Sequence, residues 1–211
     1  MTRRLLWLQA GCDHKGVDSG IKHLFESLKR VWWSDGCRIR PKRAPSSTLP
    51  FVGLVLDSTT VETYRPGGRD GDAAPYADVK NRSYGVKKQV AVMASSPQYA
   101  FFVSPEIPAA THDREILKKS YEEIAFYLVK TESEQGSIPG DKESSWALLC
   151  DSGYIGNPDD TPWLRCIAMQ RPSSIFWDSE EQRLHAEQAQ LRGCVERFFG
   201  RLKRLLVGLY S

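Results

Sequence analysis

Two short stretches constrain the fold more than anything else in this chain. Phe51-Val-Gly-Leu-Val-Leu-Asp57 and Trp146-Ala-Leu-Leu-Cys-Asp151 are unbroken apolar runs, each closed by an aspartate and followed by small or polar residues. Runs this short and continuous read as strands buried on both faces. That requires a sheet flanked by helices, an α/β fold. An aspartate closing a central strand lies at the carboxyl edge of the sheet, where open α/β sheets carry their sites. Taken singly, such an aspartate also serves to cap a turn through its side chain.

A third segment, Arg192-Gly-Cys-Val-Glu196-Arg-Phe-Phe199-Gly-Arg-Leu-Lys203, has helical patterning. At 3.6 residues per turn, positions 192, 196, 199 and 203 fall on one face, so one carboxylate lies among cations. Cations in such a stripe suit phosphates, and a carboxylate among them suits a divalent metal. The plainer reading is a solvated ion pair between Glu196 and Arg192 or Lys203, worth about 0.2–0.5 kcal/mol. Leu184, Leu191, Val195, Phe198, Leu202 and Leu205 form the apolar stripe of the same helix, expected from about Glu180 to Leu209.

The rest of the chain falls into place around these segments. Residues 1–36 read as helical, with Ile21, Leu24, Phe25, Leu28 and Val31 at helical spacing and Asp18 or Ser19 as the cap. Pro41 to Pro50 reads as a linker. These give two parts: residues 1–45, a helical segment with a basic linker, and residues 46–211, the α/β domain. Strands are expected at 51–57, 87–94, 99–103 and 146–151, with a hairpin turn at 95–98 and a further short strand at 164–169. Thr111-His112-Asp113 opens a helix running to about Lys130, with Thr111 or Asp113 near its N-terminus. Lys80, Arg82, Lys87 and Lys88 surround the second strand. Regular alternation would put Lys80, Arg82 and Lys88 on one side, as a track for a DNA backbone or as lysines guarding an edge.

At 211 residues the chain has room for one substantial core. A net charge of +3 does not by itself announce a nucleic-acid binder, although the segments before Arg43 and after Arg192 are locally basic. The five cysteines (Cys12, Cys37, Cys150, Cys166 and Cys194) are odd in number and do not read as a disulfide framework. No apolar run approaches the length of a membrane span, so no membrane association is expected. Cys12, His14, His23 and Cys37 do not have the spacing of a zinc site. Asp70 and Asp72 lack the distal glutamate of a calcium loop. Arg38 to Arg43 reads either as a nuclear localisation signal or as a solvated linker.

In the order strand-Asp, strand-Asp, helix-Glu, the chain resembles the DDE transposases, whose catalytic domains are RNase H-like, and particularly the Harbinger-type family. The resemblance is carried by Leu56-Asp57-Ser-Thr-Thr-Val, Tyr76-Ala-Asp-Val-Lys80-Asn-Arg-Ser-Tyr84-Gly-Val-Lys87-Lys-Gln89-Val, Thr111-His112-Asp113, Leu149-Cys-Asp151-Ser-Gly-Tyr154 and Arg192-x3-Glu196-x2-Phe199-Gly-Arg-Leu-Lys203. Related insertion-sequence enzymes often carry a tyrosine three residues before the arginine, where this chain has Ala189.

The resemblance implies an RNase H-like mixed sheet and a DNA endonuclease or transposase. Its catalytic and metal-binding residues would be Asp57, Asp151 and Glu196, holding Mg2+ or Mn2+, with Asp113 as an auxiliary ligand. Arg192 and Lys203 would touch the phosphates of double-stranded DNA, joined by Lys80, Arg82 and Lys88. It also implies a nuclear location in a eukaryote or a cytoplasmic one otherwise, a separate DNA-binding partner protein, and oligomerisation. The family commonly continues beyond this last helix, so a truncated core is an expectation as well. The alternative is a module derived from a transposase that binds DNA or protein without cutting.

Overall fold

The structure is a computed structural model, and it describes residues 49–95, 98–154, 156, 158–162, 164–168 and 178–210. The expected N-terminal helix, the linker up to residue 48, and the cysteines and histidines at 12, 14, 23 and 37 lie outside the described residues. The chain divides into two compact units, and the fold described here is that of Pro41–Gly200.

Its centre is a seven-stranded mixed sheet. The strands are β1 (Val52–Thr63), β2 (Ala77–Asp78), β3 (Ser83–Met93), β4 (Ala100–Val103), β5 (Ile107–Pro108), β6 (Ala147–Cys150) and β7 (Cys166–Ala168). A helical turn, α1 (Asp70–Ala73), precedes β2, and two long helices follow: α2 (Asp113–Leu128) and α3 (Ser179–Tyr210). Strand order is β2-β3-β1-β6-β7. The free side of β3 is shared in succession by β2, β5 and β4. β1 runs antiparallel to β3 and parallel to β6, and β7 extends the parallel part. This is an α/β fold of the RNase H-like kind.

Alternation along the strands divides the core between two faces. Leu54, Leu56, Ala91, Met93, Leu148 and Cys150 pack on one face with Leu117, Ile124 and Leu128 of α2. Val52, Val55, Val90, Val92, Ala147 and Leu149 pack on the other with Leu191, Val195 and Phe199 of α3. The two apolar runs are continuous because both of their faces are covered. Cys150, Cys166 and Cys194 are free thiols. Among the described residues no helix is long and apolar enough to cross a membrane.

Several expectations need correction. β1 does not stop at Asp57. It continues through Ser58-Thr-Thr-Val-Glu-Thr63 in an antiparallel ladder with β3, Val61 opposite Val86 and Thr63 opposite Tyr84, while β2 and β5 line the other side of β3 there. β-branched residues suit this extension, which needs no apolar continuity because its side chains run from half-buried to exposed. Gly85 permits the pairing, since a Cβ there would come within 2.5 Å of the Val61 carbonyl oxygen. Lys80 and Arg82 precede β3, in the turn that links it to β2, and Arg82 has a left-handed φ of 52°. Alternation therefore does not align them with Lys88. Asp113 opens α2 as expected, and His112 caps it, its Nδ1 accepting the Arg114 N–H at 3.3 Å. Phe199, expected on the face carrying Arg192 and Glu196, is buried in the core.

Candidate active site

Asp57 and Asp151 arrive at one edge of the sheet by equivalent routes. Val55 pairs with Leu149 at the end of the parallel β1–β6 ladder, and each aspartate lies two residues beyond its member of that pair. Val55 and Leu149 both pack towards α3, and alternation carries Asp57 to the same face. Each aspartate is followed by a serine whose backbone N–H donates to the carboxylate Oδ1, at 2.8 Å for Ser58 and 2.6 Å for Ser152. The Ser152 hydroxyl also donates to Asp151 Oδ1 at 3.2 Å.

Burial pushes the Asp57 carboxyl above its ordinary value, and the negative charges of Asp113 and Asp151 push it further. The Ser58 N–H and the Arg192 guanidinium pull the other way without reversing the shift. Asp57, Asp113, Asp151 and Arg192 thus form one electrostatic neighbourhood. Arg192 comes from α3, where its Nε lies 3.2 Å from Glu196 Oε1, an i,i+4 pair with the glutamate side chain 60% exposed. Glu196 is thereby held to the arginine, one turn along the helix.

Asp113 approaches from the opposite face, at the start of α2. Its Oδ1 accepts the Ser58 hydroxyl at 2.8 Å and lies 3.0 Å from Lys87 Nζ. Lys87 also donates to the Thr111 carbonyl at 2.8 Å. Gln89, fully buried, donates from Nε2 to the Asp113 carbonyl at 3.2 Å. Tyr154 packs on this face with its hydroxyl towards Ser58 and Gln89. Lys88 points to the other side of β3, donating to the Ser104 carbonyl at 3.3 Å and pairing with Glu106 at 2.9 Å. Lys203 belongs to α3, with its side chain outside the described residues.

Sequence reasoning gave no site role to Lys87, Gln89 or Tyr154. The available signal was their spacing: Lys87 and Gln89 are two residues apart on one strand and must share a face. Tyr154 closes the turn begun by Asp151.

Among the described residues no three His, Cys, Asp or Glu side chains gather closely enough to hold a metal ion. The donor chemistry nonetheless fits a hard divalent cation. Mg2+ takes oxygen ligands, typically one or two carboxylates with water and substrate phosphate making up the rest. Asp57 and Asp151 supply two carboxylates, and the crowding of negative charge at Asp57 favours a cation beside it.

A family model described as DDE superfamily endonuclease matches residues 56–206, a span that begins one residue before Asp57 and includes Asp113, Asp151, Arg192 and Glu196. No curated protein and no solved structure matches the chain.

Proposed function

The chain belongs to the DDE superfamily of endonucleases, and from that premise we propose that it cleaves phosphodiester bonds of double-stranded DNA, with Asp57, Asp151 and Glu196 as its catalytic carboxylates. The observation that carries this reading is the matched position of Asp57 and Asp151, two residues past the paired Val55 and Leu149. A divalent ion, Mg2+ or Mn2+, supplies activation of water and neutralisation of the leaving oxygen when bound.

Asp57 offers the central carboxylate, kept poorly neutralised by burial and by its acidic neighbours. Asp151 offers the second, oriented by two hydrogen bonds from Ser152. Glu196 would hold the cation as the third carboxylate once parted from Arg192. An exposed pair of this kind contributes only about 0.2–1 kcal/mol, so parting it costs little. Arg192 would then have its planar fork free for a phosphate. Lys203, Lys80, Arg82 and Lys88 extend the contact to the DNA backbone, and Asp113 serves as an auxiliary acidic group. The Harbinger subtype, strand transfer by the released 3′-hydroxyl, recruitment of a DNA-binding partner protein, and action in a nucleus belong to the same reading.

A second reading is a module that binds DNA without cutting it, favoured by the Arg192–Glu196 pair that occupies the third carboxylate. Nicking of supercoiled plasmid in Mg2+ or Mn2+ separates the two. Asp57→Ala, Asp151→Ala and Glu196→Ala are each expected to slow nicking by about a hundredfold or more, the scale seen when a directly acting group is lost, while still binding duplex. Variants that nick as fast as the parent would refute the assignment. DNA binding without nicking by a folded parent would establish the second reading.

A further inference from the structure

Among the described residues, Tyr154 is one of a few whose buried polar atom meets no hydrogen-bond partner in good geometry. Its ring lies in the core cluster on the α2 face, the residue is 4% exposed, and its hydroxyl is sealed from solvent without a partner of ordinary geometry. Leaving a buried hydroxyl unsatisfied is unfavourable, and native structures seldom do so without a reason. The hydroxyl is directed at a polar cluster, where Ser58, Gln89 and Asp113 converge.

The backbone of Tyr154 is anchored at the other aspartate. Ser152–Tyr154 is a 3-10 turn, and the Tyr154 N–H donates to the Asp151 carbonyl at 3.0 Å. One residue therefore starts from the Asp151 turn after β6 and reaches β1 beside Asp57. Ser58 is its natural counterpart, because the Ser58 N–H holds Asp57 Oδ1 and the Ser58 hydroxyl holds Asp113. Burial, together with the neighbouring Asp113, raises the phenol above its ordinary value, so it remains a neutral donor.

We propose that Tyr154 is a positioning residue that sets the separation of Asp57 and Asp151, its hydroxyl closing onto the Ser58–Asp113 cluster when a divalent cation draws the two carboxylates together. This rests on the metal-dependent reading above. Carboxylates that share a cation must be held within about 0.5 Å of their working geometry, and groups that orient ligands from behind commonly govern metal affinity by about 10–100-fold.

The test is Tyr154→Phe, which removes the hydroxyl and keeps the ring, studied by Mn2+ binding, thermal unfolding in EDTA and plasmid nicking. The account expects unfolding in EDTA at the parent temperature or higher, Mn2+ affinity lower by about tenfold, and a lower kcat with KM for DNA unchanged. Ser58→Ala should weaken Mn2+ binding similarly, and the double variant should be no worse than either single one, since both act through one contact. If Tyr154→Phe binds Mn2+ as the parent does, or if the two losses simply add, Tyr154 is a packing residue only. If the parent and Asp57→Ala bind Mn2+ equally, the metal-dependent reading fails, and the role of Tyr154 fails with it.

Discussion

At the scale of single residues, Asp57 is a carboxylate that the fold holds at some cost. Its folded value lies above the ordinary 3.8 through burial and the nearby Asp113 and Asp151. A raised value means the native state binds this proton more tightly than the unfolded chain does. The resulting stabilisation is full below pH 3.8 and disappears as pH rises through the folded value. Asp57→Asn keeps the acceptor for the Ser58 N–H and cannot ionise. In metal-free buffer it is therefore expected to unfold at a higher temperature than the parent at neutral pH, with the advantage vanishing at acid pH. Thermal unfolding in EDTA across a pH series measures this, and a variant less stable than the parent at neutral pH would oppose it. Asp57 and Asp151 were legible in the sequence because each terminates an apolar run. Lys87 and Gln89 were not, because the residue that gives them a role, Asp113, is more than twenty positions away and meets them only through the pairing of β3 and the start of α2.

At the scale of elements, the connection from α2 to β6 is tied by a buried ion pair. Lys130 Nζ lies 2.8 Å from Asp141 Oδ2, both side chains nearly inaccessible, and the ammonium stands 4.9 Å above the Trp146 ring. Arg165, just before β7, holds the other oxygen of Asp141 at 2.9 Å. Burial alone would raise the Asp141 carboxyl, but its bonds to Lys130, the Glu143 N–H and Arg165 outweigh burial and hold it below the ordinary value. Its stabilisation is present above pH 3.8 and is lost as pH falls through the folded value. Removing Lys130 leaves the buried carboxylate with Arg165 as its remaining cationic partner and one oxygen without its ammonium. Lys130→Met is thus expected to cost about 3–5 kcal/mol in urea unfolding, a loss that shrinks in acid as Asp141 takes up a proton. A cost below about 1 kcal/mol, the scale of a surface pair, would show that the tie is unimportant. The element order was readable where apolar runs or helical spacing persisted. β2 and β5, two residues each, are too short to carry a period, and the end of β1 was missed because apolar continuity stops at Leu56 while the strand does not.

At the scale of the whole molecule, a parallel pair of strands brings together two aspartates separated by more than ninety residues. α3 covers the face to which Asp57 points, and α2 braces the other through Asp113 and Ser58. The proposed third carboxylate, Glu196, is the part of the candidate site least legible in the sequence. Helical spacing places Glu196 one turn from Arg192, but spacing cannot say whether the glutamate serves a cation or its neighbouring arginine. Here it is paired with Arg192. The central claim is that Asp57 ligates the cation that DNA cleavage requires. Its most direct test is plasmid nicking by Asp57→Cys beside the parent, in Mg2+ and in Mn2+. A thiolate is a poor ligand for hard Mg2+ and a better one for Mn2+. The account predicts a variant silent in Mg2+ that recovers nicking in Mn2+, while the parent cuts in both. An Asp57→Cys variant that nicks in Mg2+ at the parent rate would contradict it.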